Sequence, residues 1–208
     1  MKSLVPVLAC ALLVPSALAA ERPAFRYKPP ASQEHAVVVE AVVGPQNGDI
    51  ALKLRFNKQP WGLECGNRCA NATVLIDTDD NTSTGLQLPG KAPETGADLA
   101  LHIQGAREYG GEESNAFVRV KVRMLSRNSR RPEQGELLAE LDHRHDTRRL
   151  YVEKNTVFLL VDATNSLLPL SRRMRVIYRP PASRPLVATV PGTLSGSTSG
   201  QAIFRPDR

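Results

Sequence analysis

The residues best suited to chemistry lie together in IDTDDNTSTG, Ile76–Gly85, where three carboxylates and several polar turn residues share ten positions. Asp77, Asp79 and Asn81 stand at i, i+2 and i+4, as do the first ligands of an EF-hand calcium loop. The second half of that motif is missing: its sixth position is not glycine, and Leu88 stands where a bidentate glutamate belongs. The stretch is therefore an oxygen-rich loop but not an EF-hand.

A further oxygen ligand is expected from Asp98, in GADLALHI. Asp77 ends the apolar run TVLI and Asp98 begins the next strand, so antiparallel pairing would bring Asp98 back towards Asp77. Calcium prefers ligand sets made only of oxygen, whereas zinc and copper favour nitrogen and sulfur. We therefore predict a structural calcium site formed by Asp77, Asp79, Asn81 and Asp98. A solvated acidic turn with Asx-type hydrogen bonds is the alternative.

The first residues, MKSLVPVLACALLVPSALAA, have the pattern of a secretory signal peptide. Lys2 precedes an apolar run, and the small residues Ala17 and Ala19 follow it. The run is shorter than the about 20 residues that a membrane-spanning helix needs. We predict cleavage after Ala19, with Ala20 as the alternative, no transmembrane segment, and a periplasmic or secreted product. The alternative interpretation of this segment is a lipoprotein signal, in which Cys10 carries the lipid.

Removal of the signal peptide leaves two cysteines, Cys65 and Cys69, in CGNRC. An even number of cysteines in an exported chain favours a disulfide. A thiol redox pair normally has two intervening residues and a helix start, and three residues intervene here. We therefore predict a structural disulfide that stiffens a turn.

The pattern that positions these residues is alternation of apolar and polar side chains, typical of half-buried strands. About nine runs show it: AVVVEAVV, DIALKLRF, ATVLID, ADLALHIQ, FVRVKVRML, GELLAELD, RRLYVEK, TVFLLVDA and RRMRVIYR. Antiparallel sheets with one wet face give this alternation, and two stacked sheets form a sandwich. We predict an all-β antiparallel sandwich, immunoglobulin-like or jelly-roll-like; a closed barrel is the alternative.

The domain boundaries follow from composition. After a signal peptide at 1–19, a proline-rich segment at 20–35 is expected to be extended, and the sandwich occupies 36–180. Residues 181–208 are rich in Pro, Ser and Gly and are predicted to be a disordered tail. An added edge strand near 185–190 is the alternative for its first part.

The stretch VLIDTDDNTSTGLQLPG…TGADLALHIQG, from Val74 to Gly105, resembles a hairpin of family 9 carbohydrate-binding modules and related DOMON-like sandwiches. In those domains a strand ending in Asp-x-Asp, a Thr-Gly turn and a Gly-Ala-Asp strand recur together. NTVFLLVDATNSLLPLSRRMRVIY is similar to the last strands of such domains. The resemblance implies a non-catalytic β-sandwich with a structural calcium near Asp77, Asp79 and Asp98. Sugar-binding members use aromatic platforms. The chain has one tryptophan, Trp61, which is the candidate for such a platform.

Basic residues form a second candidate surface. Arg119, Lys121 and Arg123 alternate along one strand and so project from one face. Lys53, Arg55, Arg173 and Arg175 show the same arrangement elsewhere, and neighbouring strands would combine them into one arginine-rich face. Such a face favours an acidic polysaccharide, another anionic envelope polymer or an acidic protein. The alternative is that these long cations only solvate an exposed sheet and discourage aggregation at its edge. Nucleic acid is not expected, because the protein is exported and no aromatic residues interleave the cations.

These observations lead to two hypotheses about function. The first is an exported, non-catalytic, calcium-stabilised module that binds carbohydrate or another anionic envelope component. The second is a structural or interaction domain whose calcium loop only stabilises the fold and whose basic face docks a protein. Enzymatic activity is not expected, since no Gly-x-Ser-x-Gly motif occurs and DHRHD, with His143 and His145, is typical of a charged turn.

Overall fold

The computed structural model describes residues 22–62, 65, 68–90, 92–107, 116–163, 166, 168, 170–192 and 203. The predicted signal peptide with its cleavage site, Cys10, and most of the predicted tail lie outside these residues. No helix of the described chain is long and apolar enough to cross a membrane.

Eleven strands form two antiparallel sheets, which confirms the predicted all-β sandwich. The five-stranded sheet has the order β1-β2-β3-β9-β8 and contains β1 (Phe25–Arg26), β2 (Val38–Gln46), β3 (Asp49–Phe56), β9 (Thr156–Val161) and β8 (Leu150–Glu153). The six-stranded sheet has the order β11-β10-β4-β5-β6-β7 and contains β11 (Leu186–Pro191), β10 (Arg173–Tyr178), β4 (Asn71–Asp77), β5 (Leu99–Arg107), β6 (Ala116–Met124) and β7 (Glu136–Asp142). Pro132–Gln134 forms one short 3-10 turn.

The nine predicted runs correspond to β2–β10, and two strands lie outside the predicted domain boundaries. β1 falls within the segment 20–35 and pairs with β2 through Phe25 and Arg26. β11 falls within the predicted tail and pairs with β10 over six residues. For Leu186–Pro191 the structure therefore has the alternative, an added edge strand near 185–190, in place of the disordered tail, because strand pairing satisfies the backbone of that segment.

The inward side chains of the two sheets build the main core, as the alternation predicts. Leu52, Leu54 and Phe56 from β3 and Val118 and Val120 from β6 are all fully buried. The turn between β2 and β3 has positive φ at both central residues, 54° at Asn47 and 86° at Gly48. Asn-Gly tolerates these angles, and this turn matches the right-handed twist of a hairpin.

The connection between β3 and β4 contains the predicted disulfide. Cys65 and Cys69 are bonded, with their Cα atoms 4.7 Å apart. Cys65 is buried, and Ala70, the residue after Cys69, donates its amide to the carbonyl of Pro60 at 2.9 Å. The bond therefore closes a small loop at the end of the sandwich.

The long β4–β5 loop, residues 78–98, folds back over the outer face of the six-stranded sheet. Its Leu86 and Ala97 are fully buried and pack with Leu75, Ala100 and Ile177, residues of the outer sheet face. The loop therefore forms a small second core, which holds both of its ends against the sheet.

Two glycines make this return possible. Gly85 has φ of 54°, and a Cβ there would lie 2.2 Å from the carbonyl oxygen of Ala97. Gly96 has φ of 92°, and a Cβ there would lie 2.6 Å from the Cα of Thr82. Only glycine fits such close backbone approaches with left-handed dihedral angles.

Candidate metal centre

Three carboxylates converge where the β4–β5 loop leaves and rejoins the sheet. Asp77 is the last residue of β4, Asp79 lies two residues into the loop, and Asp98 immediately precedes β5. One carboxylate oxygen of each residue lies within 4.8 Å of the other two. Asp98 continues the strand pairing, since its amide donates to the carbonyl of Ile76 at 2.9 Å. The predicted return of Asp98 towards Asp77 is confirmed.

Hydrogen bonds from the loop orient these carboxylates. Asp98 Oδ2 accepts from the backbone amide of Thr78 at 2.8 Å and from its hydroxyl at 3.0 Å. Asp77 Oδ1 accepts from the amides of Asp79 at 3.2 Å and Asn81 at 3.3 Å. Asp79 accepts from the Asn81 amide at 3.0 Å and from the Thr84 hydroxyl at 3.1 Å. The loop thus has the Asx-type bonds of a polar turn together with a convergent carboxylate cluster.

Among the described residues, Arg175 is a cation that contacts this cluster, and the sequence did not predict it as part of the site. β10 pairs with β4 in a register that places Arg175 opposite Asp77. Its guanidinium binds Asp77 Oδ2, with Nε at 2.7 Å and Nη2 also in contact. Nη2 further donates to the carbonyl of Thr95 at 2.8 Å, and Nε lies 3.7 Å from Asp80. Arg175 therefore ties β10 to both ends of the loop.

The electrostatics of the cluster favour an additional positive charge. Burial raises the pKa of Asp98 to about 6; the bonds from Thr78 oppose this, and the negative charges of Asp79 and Asp77 add to it. Burial also raises the pKa of Asp77, and the bond and charge of Arg175 do not fully offset that effect. Both shifts have the same main cause, the burial of the carboxylates. A hard divalent cation fits a cluster made only of carboxylate oxygens.

Asn81, the remaining predicted ligand, points its side chain elsewhere. Its Oδ1 accepts from the Ser83 amide at 3.0 Å and from the Ser83 hydroxyl at 2.6 Å, and the residue is exposed. Asn81 contributes to the cluster through its backbone amide, which donates to Asp77 and Asp79.

Trp61 packs at one end of the sandwich. Its half-buried ring lies against the main core and contacts the ring of His143, with the centroids 4.9 Å apart and the planes inclined by 54°. His143 in turn accepts the backbone amide of Val118 on Nδ1 at 2.9 Å. These contacts give Trp61 a packing role, and neither residue joins the carboxylate cluster.

The predicted basic stripe does share one face of β6, but carboxylates of β7 pair with it. Arg119 lies 3.4 Å from Glu140 and 3.6 Å from Asp142, and Lys121 lies 3.7 Å from Glu140. Arg123 donates to the carbonyl of Gly135 at 2.8 Å. Asp142 is firmly ionised, because a hydrogen bond from Arg144 lowers its pKa to about 2. The alternating acids of GELLAELD were the signal for this pairing.

The remaining basic residues do not extend the stripe into one face. Lys53 and Arg55 lie on β3, in the other sheet. β10, which carries Arg173 and Arg175, is separated from β6 by β4 and β5. The condition for a single arginine-rich face, that these strands are neighbours, is therefore not met.

Comparisons of the chain with protein-family models, with curated proteins and with solved structures find no match.

Proposed function

We propose that this chain is an exported, non-catalytic binding module whose β4–β5 loop is stabilised by calcium. The convergence of Asp77, Asp79 and Asp98 carries the proposal, because carboxylate oxygens are the ligands that calcium prefers. These three side chains would hold the ion. Calcium would supply the positive charge that Arg175 alone does not provide, and would hold the loop's two ends together.

Export is supported by the bond between Cys65 and Cys69, since disulfides persist in oxidising compartments. We propose a periplasmic or secreted location on this ground and on the leader-like first residues. The partner that we propose is a carbohydrate or another anionic envelope component. A docking role for the basic stripe is less favoured, because Glu140 pairs with both Arg119 and Lys121.

Thermal unfolding of metal-free protein tests the calcium proposal. A ligand that binds only the native state stabilises it by about 2.7 kcal/mol at a hundredfold excess over Kd. Tm should therefore rise in millimolar calcium relative to EDTA. Asp79→Asn should remove most of that rise, because it takes one carboxylate from the cluster and preserves the side chain's shape.

Asp80→Asn is the matched control: Asp80 is an adjacent carboxylate of the same loop, is 40% exposed and lies outside the cluster. This variant should keep the calcium response. Identical melting curves in calcium and in EDTA for the wild-type protein would refute the calcium proposal.

A further inference from the structure

The outer face of the five-stranded sheet carries a small apolar cluster that is separate from the main core. Ala51 is fully buried and Phe158 is 8% exposed. Both alternate with core residues along β3 and β9, and therefore point away from the main core. Three half-buried residues pack against them, Tyr151, Leu160 and Ile203. Burial of side chains that point outward requires a cover from outside the sheet.

Ile203 supplies part of that cover. Among the described residues of the cluster, it alone lies outside the five-stranded sheet. Strand pairing places Ala51 between Gly44 of β2 and Leu160 of β9, and directly paired residues share a face of a sheet. Because Gly44 has no side chain, the surface has a hollow beside Ala51. A Cβ on Gly44 would lie 3.2 Å from Ile203 Cδ1, so Ile203 occupies this hollow.

The two rings of the cluster are engaged with each other. Tyr151 and Phe158 are paired across β8 and β9 and stack with their centroids 4.3 Å apart and their planes inclined by 8°. Lys53 Nζ lies 5.9 Å from the centroid of the Phe158 ring. The buried Phe158 ring therefore offers no open face to a sugar, whereas the hollow at Gly44 has the size of an aliphatic side chain.

The course of the chain after β11 makes its own C-terminal segment the natural occupant. β11 contacts both β1 and β2, so the chain leaves β11 on the side of the sandwich that carries Gly44. Residues 193–202, ten in all, separate Gly192 from Ile203, and ten residues can span up to about 35 Å. A tether of this kind raises the local concentration of the segment at the surface. A small apolar anchor is then sufficient, although the same anchor on a free peptide would bind weakly.

We propose that this outer face is a docking surface and that its occupant is the chain's own C-terminal segment, residues 201–208. Ile203 is the anchor, seated over Gly44 and beside Ala51. The surface lies on the sheet that does not carry the β4–β5 loop. The inference therefore goes beyond the proposed function and does not depend on calcium.

Methyl NMR of the full mature chain tests the anchor directly. The Ile203 δ1 methyl group should show a nuclear Overhauser effect to the α-protons of Gly44. Ile203→Ser, which alters no strand, should shift the methyl signals of Ala51 and Leu160 and leave that of Ile177, on the other sheet, unchanged. A wild-type Ile203 methyl group without contact to Gly44 would overturn the inference.

Cleavage by chymotrypsin tests the docking of the segment, because Phe204 follows the anchor directly. Gly44→Leu fills the hollow, and among the described residues a Cβ there meets only Ile203 within 4 Å. We expect this variant to be cleaved after Phe204 at least about tenfold faster than the wild type, since burial of the anchor is lost. Mass spectrometry measures the rate at which the last four residues are released.

Thr156→Leu is the matched control, because it adds the same side chain to the outer face of the same sheet. Thr156 is paired with Arg55 and Glu153, outside the cluster. This variant should be cleaved at the wild-type rate. Equal rates for the wild type, Gly44→Leu and Thr156→Leu would overturn the inference.

The dependence of cleavage on protein concentration distinguishes the chain's own segment from that of a second copy. Docking within one molecule protects Phe204 equally at all protein concentrations. Protection that increases with protein concentration would show that the segment binds a second copy, and would overturn the inference as stated.

Discussion

At the residue scale, Asp77 serves two kinds of cation in our proposal: Arg175, which contacts it, and calcium. Asp77 is fully buried and the Arg175 side chain is 16% exposed. Removing one partner of a buried ion pair typically costs about 3–5 kcal/mol. We expect Arg175→Gln to lower the free energy of unfolding in EDTA by about 3 kcal/mol, at the lower end of that range. Calcium should recover most of the loss, because it neutralises the same carboxylate.

Urea unfolding in EDTA and in calcium measures both effects. Arg173→Gln, an exposed arginine on the same strand, is the control and should change the free energy of unfolding by no more than about 0.5 kcal/mol. An equal loss for Arg175→Gln in both buffers would show that calcium does not share Asp77.

The raised pKa of Asp98 predicts that the stability of the metal-free protein depends on pH. Its pKa is raised from an ordinary 3.8 to about 6, so between these values the folded state binds more protons than the unfolded state. Stability should therefore fall as pH rises from about 4 to above 6, by about 2–3 kcal/mol in total. Urea unfolding in EDTA at about pH 4 and at about pH 7, the two ends of this window, measures the fall.

Asp98→Asn removes the titrating carboxyl and should abolish that component of the fall. In saturating calcium, the wild type should keep its stability at neutral pH, because the ion favours the ionised carboxylate. Stability that rises with pH in EDTA for the wild type and not for Asp98→Asn would contradict the direction assigned to this residue.

The carboxylates of the cluster were predictable, whereas their partner was not. Asp77 and Asp79 follow from spacing, and Asp98 follows from antiparallel pairing of consecutive strands. Arg175 is 98 residues away from Asp77 in the chain. Its position depends on β10 pairing with β4, which the sequence pattern does not specify, and its alternation with apolar residues assigned it to the candidate basic face instead.

At the element scale, the strands were predictable because each has its own alternation, but the course of the β4–β5 loop was not. The loop has no periodic pattern, and its burial depends on Leu86 and Ala97 meeting an apolar patch on the outer sheet face. Likewise β11, which the sequence indicated only as the alternative to a disordered tail, becomes a strand by pairing with β10. Contacts between distant segments decided both outcomes.

The loop's dependence on Gly85 gives a prediction with an internal control. Gly85→Ala forces a Cβ against the Ala97 carbonyl at 2.2 Å in addition to a left-handed backbone. Gly90→Ala has a similar φ, 72°, but meets nothing within 4 Å. We expect Gly90→Ala to lower the free energy of unfolding by about 1 kcal/mol, from backbone strain alone. Gly85→Ala should lower it by about 2–4 kcal/mol.

Chemical denaturation in EDTA measures the two variants, and calcium titration shows whether the loop still forms its cluster. Gly85→Ala should also weaken the calcium response, since the return of the loop brings Asp98 to Asp77. If the two variants lose the same free energy of unfolding, the contact between the Cβ at residue 85 and the Ala97 carbonyl is relieved at little cost.

At the scale of the whole molecule, the two sheets are joined through Tyr178. This residue of β10 is 1% exposed, stacks on Phe25 of β1 with centroids 5.6 Å apart, and accepts the backbone amide of Val38 at 3.2 Å. Val38 lies where the pairing of β2 with β3 shifts register. The hydroxyl therefore satisfies an amide that an irregular strand presents inside the core.

Tyr178→Phe keeps the ring and removes that hydroxyl, so it tests this connection alone. An unsatisfied buried amide costs about 1–3 kcal/mol, and we expect the free energy of unfolding to fall by an amount in this range at pH 7.

Burial raises the pKa of Tyr178 from 10.0 to about 12. The folded state therefore keeps the proton longer than the unfolded state, and stability should fall as pH rises from about 10 to 12. Tyr178→Phe should lack this component of the alkaline loss, whereas Tyr27→Phe, whose half-buried hydroxyl lies 3.2 Å from that of Ser183, should retain it. Urea unfolding between about pH 10 and 12 measures this difference. If the free energy of unfolding of Tyr178→Phe falls with pH as much as that of the wild type, groups other than Tyr178 cause the alkaline loss of stability.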